Sequence, residues 1–347
     1  MAAKESQAPD RRNDASRHAV RDCPSEESLT ANEGICQSFS ATSLSPRPPR
    51  LPLRLYGRVC HNFAMPNEMS DARSLFDRGL VQQHRERAAK DFGSYDFLFR
   101  EVAERLADRL DDVLRDFPDV LDLGCHAGHL ARHVQKRRGV QQVVACDLSP
   151  AMVARAAAQD DKSCFLVADE EGLPFGERRF DLVLSCLNLH WTNDLPGALI
   201  QIRRCLKPGG LFLGAMFGGE TLKELYQAFL VSESEGGGGI SPRISPFTEV
   251  RDAGQLLQRA GFIEPVSDSD TLTVTYPNSR RLLTDLRGMG ETNALHARRR
   301  NFTPRGTLAR MTKLYEDRFR NEEGRLPATF QIVYLTGWIA NTPKVVT

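Results

Sequence analysis

The sequence predicts an α/β fold built on a doubly wound, mostly parallel sheet. Near-continuous apolar stretches alternate with amphipathic stretches from about residue 120 to residue 217. This alternation is typical of parallel strands that helices cover on both faces. Glycines follow the first of these strands, and an aspartate ends the second. Because ligands of open α/β sheets bind outside the carboxyl ends of the strands, both features also predict the position of a ligand site.

The order of elements follows from the period of the apolar residues. Two amphipathic helices are predicted first, and most arginines of the first one are expected to face outward. Five strands then alternate with helices, one or two further strands follow, and a helical insertion precedes an antiparallel C-terminal strand. In numbers, the helices lie at 72–90 and 95–114, the five strands at 120–123, 143–147, 164–169, 180–186 and 211–216, the further strand region at 262–276, and the last strand at 329–338.

Residues 1–68 differ in composition from the remainder of the chain. They are rich in serine, proline, arginine and acidic residues without a sustained apolar period, which predicts a disordered N-terminal segment. The recurring acidic residues are atypical of a mitochondrial presequence. Met65 and Met69 precede the first predicted helix, so we expect that the upstream segment is not part of the working protein. Residues 69–347 then form one domain, with N-terminal helices at 72–115 and a helical insertion at 278–321.

Bulk composition narrows the class of partner. The 46 basic and 45 acidic residues nearly cancel, which gives no indication of a nucleic-acid partner. The apolar run at 211–217 is shorter than the roughly 20 residues that a membrane-spanning helix needs, so no transmembrane segment is predicted. Eight cysteines are scattered without a C-x-x-C pair. They predict buried thiols in a reducing compartment rather than disulfides or a metal site.

The turn after the first strand is the strongest ligand signal. Asp122, Gly124 and Gly128 have the spacing D-x-G-x-x-x-G, which differs from the G-x-G-x-x-G of a pyrophosphate-binding turn. Glycines there allow the backbone to approach a ligand closely. His126 lies in the same turn and shares a helical face with His129 and His133. No carboxylate completes a metal-binding triad locally, so no metal site is predicted.

Polar residues also end the later strands. Asp147 closes the second strand, where an acidic group can bind both hydroxyls of a ribose, although it could instead cap the helix that follows. Asp169 closes the third strand as a ligand contact or as an ordinary loop carboxylate. His190 follows the fourth strand as a catalytic or a structural histidine. Glu220 follows the fifth, as a catalytic group or a helix-opening carboxylate.

Several short motifs carry a resemblance to a known family. The chain resembles class I S-adenosylmethionine (SAM)-dependent methyltransferases over about 120–217, with His126 at the middle glycine of their acidic-x-G-x-G-x-G pattern. From 76 to 338 it is more similar to one branch, the complex I assembly factors of mitochondria and alphaproteobacteria that hydroxylate an arginine of an iron–sulfur subunit. A more distant likeness is to malonyl carrier-protein methyltransferases. The motifs are FDR (76–78), ADEE (168–171), LPF (173–175), LHW (189–191), NDLP (193–196), GAMFGG (214–219), ISPF (244–247), GMGE (288–291) and PAT (327–329).

The resemblance implies a SAM site and gives each candidate residue a role. His190 and Glu220 are the predicted catalytic residues. Tyr95 and Trp191 are the predicted substrate contacts, with a packed aromatic as the alternative for Tyr95. The predicted cofactor-binding residues are Asp122, Gly124, His126, Gly128, Asp147, Leu148, Met152, Asp169 and Glu170.

Three function classes follow from the resemblance. The first is an enzyme that modifies a protein side chain, in the manner of the arginine hydroxylases, with an iron–sulfur subunit of complex I as the implied partner. The second is a conventional SAM-dependent methyltransferase, and the third is a non-catalytic assembly chaperone with the same fold. The expected location is the bacterial cytoplasm, with the mitochondrial matrix as the alternative.

Overall fold

A single mixed sheet organises residues 74–236 and 239–341, which are the residues that the computed structural model describes. Within these residues the strand order is β3-β2-β1-β4-β5-β7-β6. β1 to β5 run parallel, whereas β7 pairs antiparallel with both β5 and β6. The predicted fold class is therefore confirmed. The strands are β1 Asp119–Leu123, β2 Gln142–Asp147, β3 Cys164–Val167, β4 Phe180–Cys186, β5 Leu206–Phe217, β6 Ile263–Tyr276 and β7 Leu326–Trp338.

Helices connect these strands and precede the first of them. The N-terminal segment predicted as disordered, with Met65 and Met69, lies outside the described residues. None of the helices in the described part of the chain has the length and apolarity to cross a bilayer. The helices are α1 Arg78–Ala89, α2 Phe97–Asp111, α3 His129–Val134, α4 Pro150–Ala157, α5 Leu195–Cys205, α6 Lys223–Ser234, α7 Val250–Ala260, α8 Ser279–Met289 and α9 Arg305–Phe319.

Alternation along the central strands divides the core between the two faces of the sheet. Val120 and Leu182 belong to one apolar cluster, and their neighbours Leu121 and Val183 belong to the other. Successive side chains of a strand point to opposite faces, so β1 and β4 are covered on both sides. Asp122 is on the same side of β1 as Val120, where α2 and α3 pack, and this places its carboxylate below the glycine turn.

One strand prediction differs from the structure. β5 begins at Leu206 instead of at residue 211, because Leu206 pairs with Phe180 ahead of a bulge and residues 207–210 are drawn into the strand. The region 262–276, predicted as one or two strands, forms one strand, β6, which pairs with β7. Since β6 is antiparallel to β7, it runs in the same direction as β1 to β5, and β7 is the antiparallel strand among those described, as predicted. The first helix also starts later than predicted, because the Asp77 side chain caps α1 by accepting from the amide of Leu80 at 3.0 Å.

The predicted helical insertion lies between β6 and β7 and contains α8 and α9. Its two ends leave the sheet side by side, since Tyr276 pairs with Leu326. α8 packs against α1, and the ring of Tyr95 covers Gly288 so closely that a Cβ there would lie 2.3 Å from Tyr95 Cγ. The insertion thus forms a roof that rests on the N-terminal helices.

Candidate functional site

Three residues of the turn between β1 and α3 have a positive φ angle. Gly124 and Gly128 adopt φ angles of 75° and 74°, and His126 adopts 47°. Gly124 also has no room for a side chain, because a Cβ there would lie 2.0 Å from Cγ of Asn188. Asn188 follows β4, so the close packing joins the carboxyl ends of β1 and β4. Positive φ angles at two glycines and one histidine give the turn its shape.

His126 turns its ring into the protein interior. Its backbone amide donates to Asp147 Oδ2 at 3.1 Å, and its Nε2 lies 3.2 Å from the carbonyl oxygen of Leu187. The ring packs on Phe99, with centroids 4.6 Å apart, and is stacked near Phe92. Burial and the nearby Arg85 guanidinium lower the pKa of His126 to about 4, so the ring is neutral at pH 7. The departure from glycine is therefore accommodated as a buried, uncharged side chain.

Asp147 is fully buried at the end of β2 and meets an arginine that the sequence did not assign to the site. Its Oδ1 accepts from the amide of Ser149 at 2.8 Å, and Arg85 Nη1 lies 3.4 Å from Oδ1 and 3.5 Å from Oδ2. Burial by itself raises the pKa of Asp147, but the Arg85 guanidinium and the backbone amides of Ser149 and His126 counter it, and that pKa is lowered. Arg85 also donates to the side-chain oxygen of Asn188. The contacts to Arg85 are at the long limit for hydrogen bonds.

A second arginine of α1 holds the end of β3. Arg78 Nη2 lies 2.8 Å from Asp169 Oδ1 and 2.8 Å from Glu170 Oε1, and its Nη1 donates to the carbonyl oxygen of Trp191 at 3.0 Å. Both acidic residues raise the pKa of Arg78 against the opposing effect of burial. The expectation that the arginines of this helix face outward is therefore wrong for Arg78 and Arg85, because buried carboxylates draw them inward.

The two apolar cofactor candidates lie on either side of this acidic edge. Leu148 is buried in a small cluster with Val81 and Trp191, and its carbonyl oxygen accepts from Gln82 at 3.2 Å. Met152 is buried one turn into α4 as part of the main core. Leu148 thus joins β2 to α1 and to the loop after β4, whereas Met152 supports α4 from within.

Three buried polar atoms around the glycine turn have no hydrogen-bond partner within the described residues. They are Asp122 Oδ1, His126 Nδ1 and Asn188 Nδ2. The other oxygen of Asp122 accepts from the amide of Ala131 at 3.0 Å. Burial raises the pKa of Asp122 to about 7 despite that amide. Buried polar groups are normally satisfied, so unsatisfied atoms around one turn indicate a polar ligand.

An open cleft of about 200 Å³ lies beyond the ends of β4 and β5, under the roof. Glu291 stands at its wall, where its Oε2 accepts from Trp191 Nε1 at 2.9 Å and lies 3.2 Å from His190 Nε2. The His190 ring packs on Phe217 with centroids 4.7 Å apart. Burial raises the pKa of Glu291, but His190 and then Arg85 outweigh burial and lower it, so the carboxylate is ionised. The lining is Trp191, Phe217, Thr221, Leu222, Leu225, Phe229, Arg243, Ile244, Ser245, Phe247, Leu283, Leu286, Glu291, Thr292, Asn293 and Phe330.

The remaining sequence candidates lie apart from this cleft lining. The Glu220 side chain is 56% exposed and pairs with Lys223 Nζ at 3.0 Å. Tyr95 packs under the roof against Gly288. His129 Nε2 lies 2.8 Å from Asp96 Oδ2, whereas His126 points inward, so the three histidines of the turn and α3 do not converge. Within 74–236 and 239–341, no group of three or more potential ligand side chains is placed to hold a metal ion.

The sheet order and the polar glycine turn define an α/β protein with a ligand site of the nucleoside-binding kind at its strand ends. Comparison with known proteins identifies the class of this protein more closely. A family model described as a methyltransferase domain matches residues 121–214. The mitochondrial arginine hydroxylase NDUFAF5 of Mus musculus is 45% identical over 269 residues, which are 77% of this chain and 78% of the relative.

Two further comparisons reach more distant proteins. A malonyl-[acyl-carrier protein] O-methyltransferase of Halorhodospira halophila is 36% identical over 278 residues, which are 79% of this chain and 92% of the relative. The crystal structure of the YcgJ protein from Bacillus subtilis has 17% identity and a TM-score of 0.49, and the match covers 69% of this chain and 99% of that one. The chain belongs to the class I SAM-dependent methyltransferase superfamily, close to the NDUFAF5 proteins.

S-adenosyl-L-methionine is thus the cofactor of this enzyme, and the glycine turn offers groups that fit it. The unsatisfied acceptor of Asp122 and the unsatisfied donor of Asn188 match the amino and carboxylate groups of a methionine moiety in chemistry. When bound, SAM supplies an electrophilic methyl group. The assignment of Asp147 to its ribose and that of Asp169 to a ligand contact stay predictions.

Proposed function

We propose that this enzyme modifies an arginine side chain of a protein, as the name of the NDUFAF5 arginine hydroxylases indicates for those relatives. The observation that carries the proposal is the size and openness of the cleft beyond the ends of β4 and β5. Its volume of about 200 Å³ is smaller than the roughly 300–1,000 Å³ of sites for drug-sized molecules. A cleft of that size admits one long side chain, while the body of a protein substrate stays outside.

A second support is the position of the cleft relative to the cofactor edge. This edge consists of the carboxyl ends of β1, β2 and β3, with Asp147 and Asp169. Trp191 lines the cleft and is also buried in one cluster with Leu148, which follows β2, so this tryptophan links the two regions. His190 is buried beside residues of the cleft lining, with its Nε2 3.2 Å from Glu291 Oε2 and its ring on Phe217. A histidine in that position can take or return a proton at the substrate, and Glu291 orients its ring. Glu220 stays a second predicted catalytic group, at the exposed start of the segment after β5.

Methyl transfer is the second candidate function. It is favoured by the malonyl-[acyl-carrier protein] O-methyltransferase of Halorhodospira halophila, of which this chain covers 92%. In that reaction the cleft would hold the acceptor group, SAM would supply the methyl group, and proximity would account for much of the rate. The two candidates differ in the group that enters the cleft, which is cationic in the first and an anionic acyl group in the second.

Mass spectrometry of the partner separates these functions. The chain is incubated in air with SAM, a reductant and candidate partners, and peptides of each partner are weighed. One added oxygen atom on an arginine supports the first function, and one added methyl group on an acyl group supports the second. A partner that binds without any change of mass indicates the non-catalytic chaperone. That result contradicts both enzymatic functions. The same assay is repeated without SAM as the control for background oxidation.

We further propose an iron–sulfur subunit of respiratory complex I as the protein partner and the bacterial cytoplasm as the location, with the mitochondrial matrix as the alternative. The partner is the one that the resemblance to the complex I assembly factors implies. Support for the location comes from the relatives named as mitochondrial NDUFAF5 and from bacterial relatives that span most of this chain. The mass of the N-terminal peptide of the natural protein tests the location. A start near Met65 or Met69 without import processing supports the cytoplasm, and a peptide cleaved at another site supports the matrix.

A further inference from the structure

We infer that Glu291 is the specificity-determining residue of the cleft, which binds the guanidinium group of the substrate side chain and rejects an anionic acyl group. The inference rests on the proposed function, since it names the residue by which that function selects arginine. Its basis is the charge, the free oxygen and the surroundings of Glu291.

The carboxylate of Glu291 has one oxygen committed and one oxygen free. Oε2 accepts a hydrogen bond from Trp191 Nε1 at 2.9 Å and lies 3.2 Å from His190 Nε2. In the described part of the chain, no side chain or backbone group donates to Oε1, although the side chain is only 7% exposed and the residue lines the cleft. A carboxylate accepts two or more hydrogen bonds at each oxygen. A substrate donor in the cleft therefore finds an acceptor that is already oriented.

The second charged residue of the cleft wall is neutralised by its own neighbours. Arg243 donates through Nε to Glu233 Oε1 at 2.8 Å, pairs with the same carboxylate through Nη2, and donates through Nη1 to Thr303 at 2.8 Å. Its guanidinium also stacks near Phe229. Three of the five N–H groups of Arg243 are thus occupied, and an anionic ligand would compete with Glu233 for the guanidinium. Within the described lining, the charged group with an oxygen that no neighbour occupies is the carboxylate of Glu291.

The rest of the wall suits a flat cation. Trp191, Phe217 and Phe247 line the cleft, and Phe217 and Phe247 pack with ring centroids 5.8 Å apart. Aromatic faces attract guanidinium groups, and the apolar wall covers the methylene stem of an arginine. A carboxylate that meets a guanidinium can bind it through two parallel hydrogen bonds, and this geometry favours arginine over lysine.

Two peptides test the inference without any change to the protein. Acetyl-Gly-Arg-Gly-amide and the same peptide with citrulline in place of arginine have nearly the same shape, but only the first carries a charge. Binding of each to the full chain in the presence of SAM is measured by NMR titration. We expect the arginine peptide to bind at least about tenfold more tightly, because hydrogen bonds between two charged groups are stronger than those to a neutral group.

A matched pair of variants then assigns the effect to one residue. Glu291→Gln keeps the shape of the side chain and removes its charge, and it should abolish the preference for arginine over citrulline. Glu104→Gln makes the same chemical change on the exposed face of α2, outside the cleft lining, and should keep the preference. With a protein substrate, Glu291→Gln should raise KM by about tenfold or more through the same lost interaction.

Each result has a distinct meaning. Equal binding of both peptides to the wild type, or no binding of the arginine peptide, overturns the inference. A preference that survives in Glu291→Gln also overturns it. The proposed function fails separately, through the absence of oxygen added to any partner arginine in the mass assay. If arginine is modified while the peptide preference is independent of Glu291, the function stands and another residue selects the substrate.

Discussion

The cofactor edge and the cleft differ in how their carboxylates are paired. The first lies at the ends of β1, β2 and β3, and the second lies beyond β4 and β5. At the first, the carboxylates of Asp147 and Asp169 already pair with Arg85 and Arg78 of α1. In the cleft, Glu291 keeps an oxygen free and is surrounded by aromatic rings. A ligand that binds Asp147 and Asp169, as predicted, would compete with these internal partners, whereas the free oxygen of Glu291 meets a ligand without such competition. A substitution at the edge affects folding and binding together, and one in the cleft affects binding first.

The largest effect is expected from Asp147→Asn, which breaks the cofactor edge. The change leaves Arg85 as a buried charge without its carboxylate, which costs about 3 kcal/mol or more of unfolding free energy. It also removes the acceptor that we assign to the ribose hydroxyls, so SAM binding measured by calorimetry should be lost. Asp161→Asn, on an exposed loop, is the control. Unchanged SAM affinity in Asp147→Asn would show that the ribose lies elsewhere.

Gly288→Ala should disturb the cleft while sparing the cofactor edge. The new methyl group would lie 2.3 Å from Cγ of Tyr95, so α8 or Tyr95 has to move. Overpacking of this kind costs roughly 1–3 kcal/mol. We expect a loss of about 2 kcal/mol in denaturant unfolding, weaker substrate binding and SAM affinity within twofold of the wild type. A matched change at Gly172, where a Cβ meets nothing within 4 Å, should have little effect on stability. Equal losses of SAM and substrate binding would mean that the roof and the cofactor edge move together.

His126, in the glycine turn, makes the stability of the folded protein depend on pH in the acidic range. The pKa of His126 is lowered to about 4, whereas an unfolded histidine has a pKa of about 6.5. As pH falls below 6.5, the unfolded chain takes up a proton that the folded chain does not, so stability present above that pH is lost towards pH 4. Asparagine tolerates the positive φ of this position. The unfolding free energy of His126→Asn should therefore fall by about 2 kcal/mol less than that of the wild type between pH 7.5 and pH 5.

Urea unfolding at the two pH values measures this difference. His296→Asn, an exposed site in the same kind of comparison, should track the wild type. If wild type and His126→Asn lose the same free energy on acidification, the imidazole is not held neutral by the turn.

The smallest effect on stability is expected at Glu220. Its pair with Lys223 is exposed, and exposed ion pairs contribute roughly 0.2–1 kcal/mol. Glu220→Gln should therefore change the unfolding free energy by about 0.5 kcal/mol or less, so a change in turnover is not a consequence of unfolding. A tenfold fall in turnover would support the catalytic role that the sequence predicts, and unchanged turnover would contradict it. Lys223→Gln breaks the same pair and serves as the control.

The elements of the sheet were predictable because parallel strands buried on both faces leave apolar stretches in the sequence, as at Val143 and Leu182. The partners of their terminal carboxylates were not. Arg78 and Arg85 lie on a helix whose many arginines suggest an exterior face, and only the tertiary approach of α1 to β2 and β3 turns these two inward. Glu291 belongs to the GMGE motif, which signalled the resemblance, but its role depends on Trp191 from a distant part of the chain.

Because Tyr276 pairs with Leu326, the roof segment begins and ends at neighbouring positions of one antiparallel ladder. The sequence of residues 277–325 can therefore change while β6 and β7 keep their pairing. Glu291 lies within this segment, while the carboxylates at the ends of β2 and β3 lie outside it. In such an architecture, the choice of substrate can diverge between relatives without any change in the chemistry that binds their common cofactor.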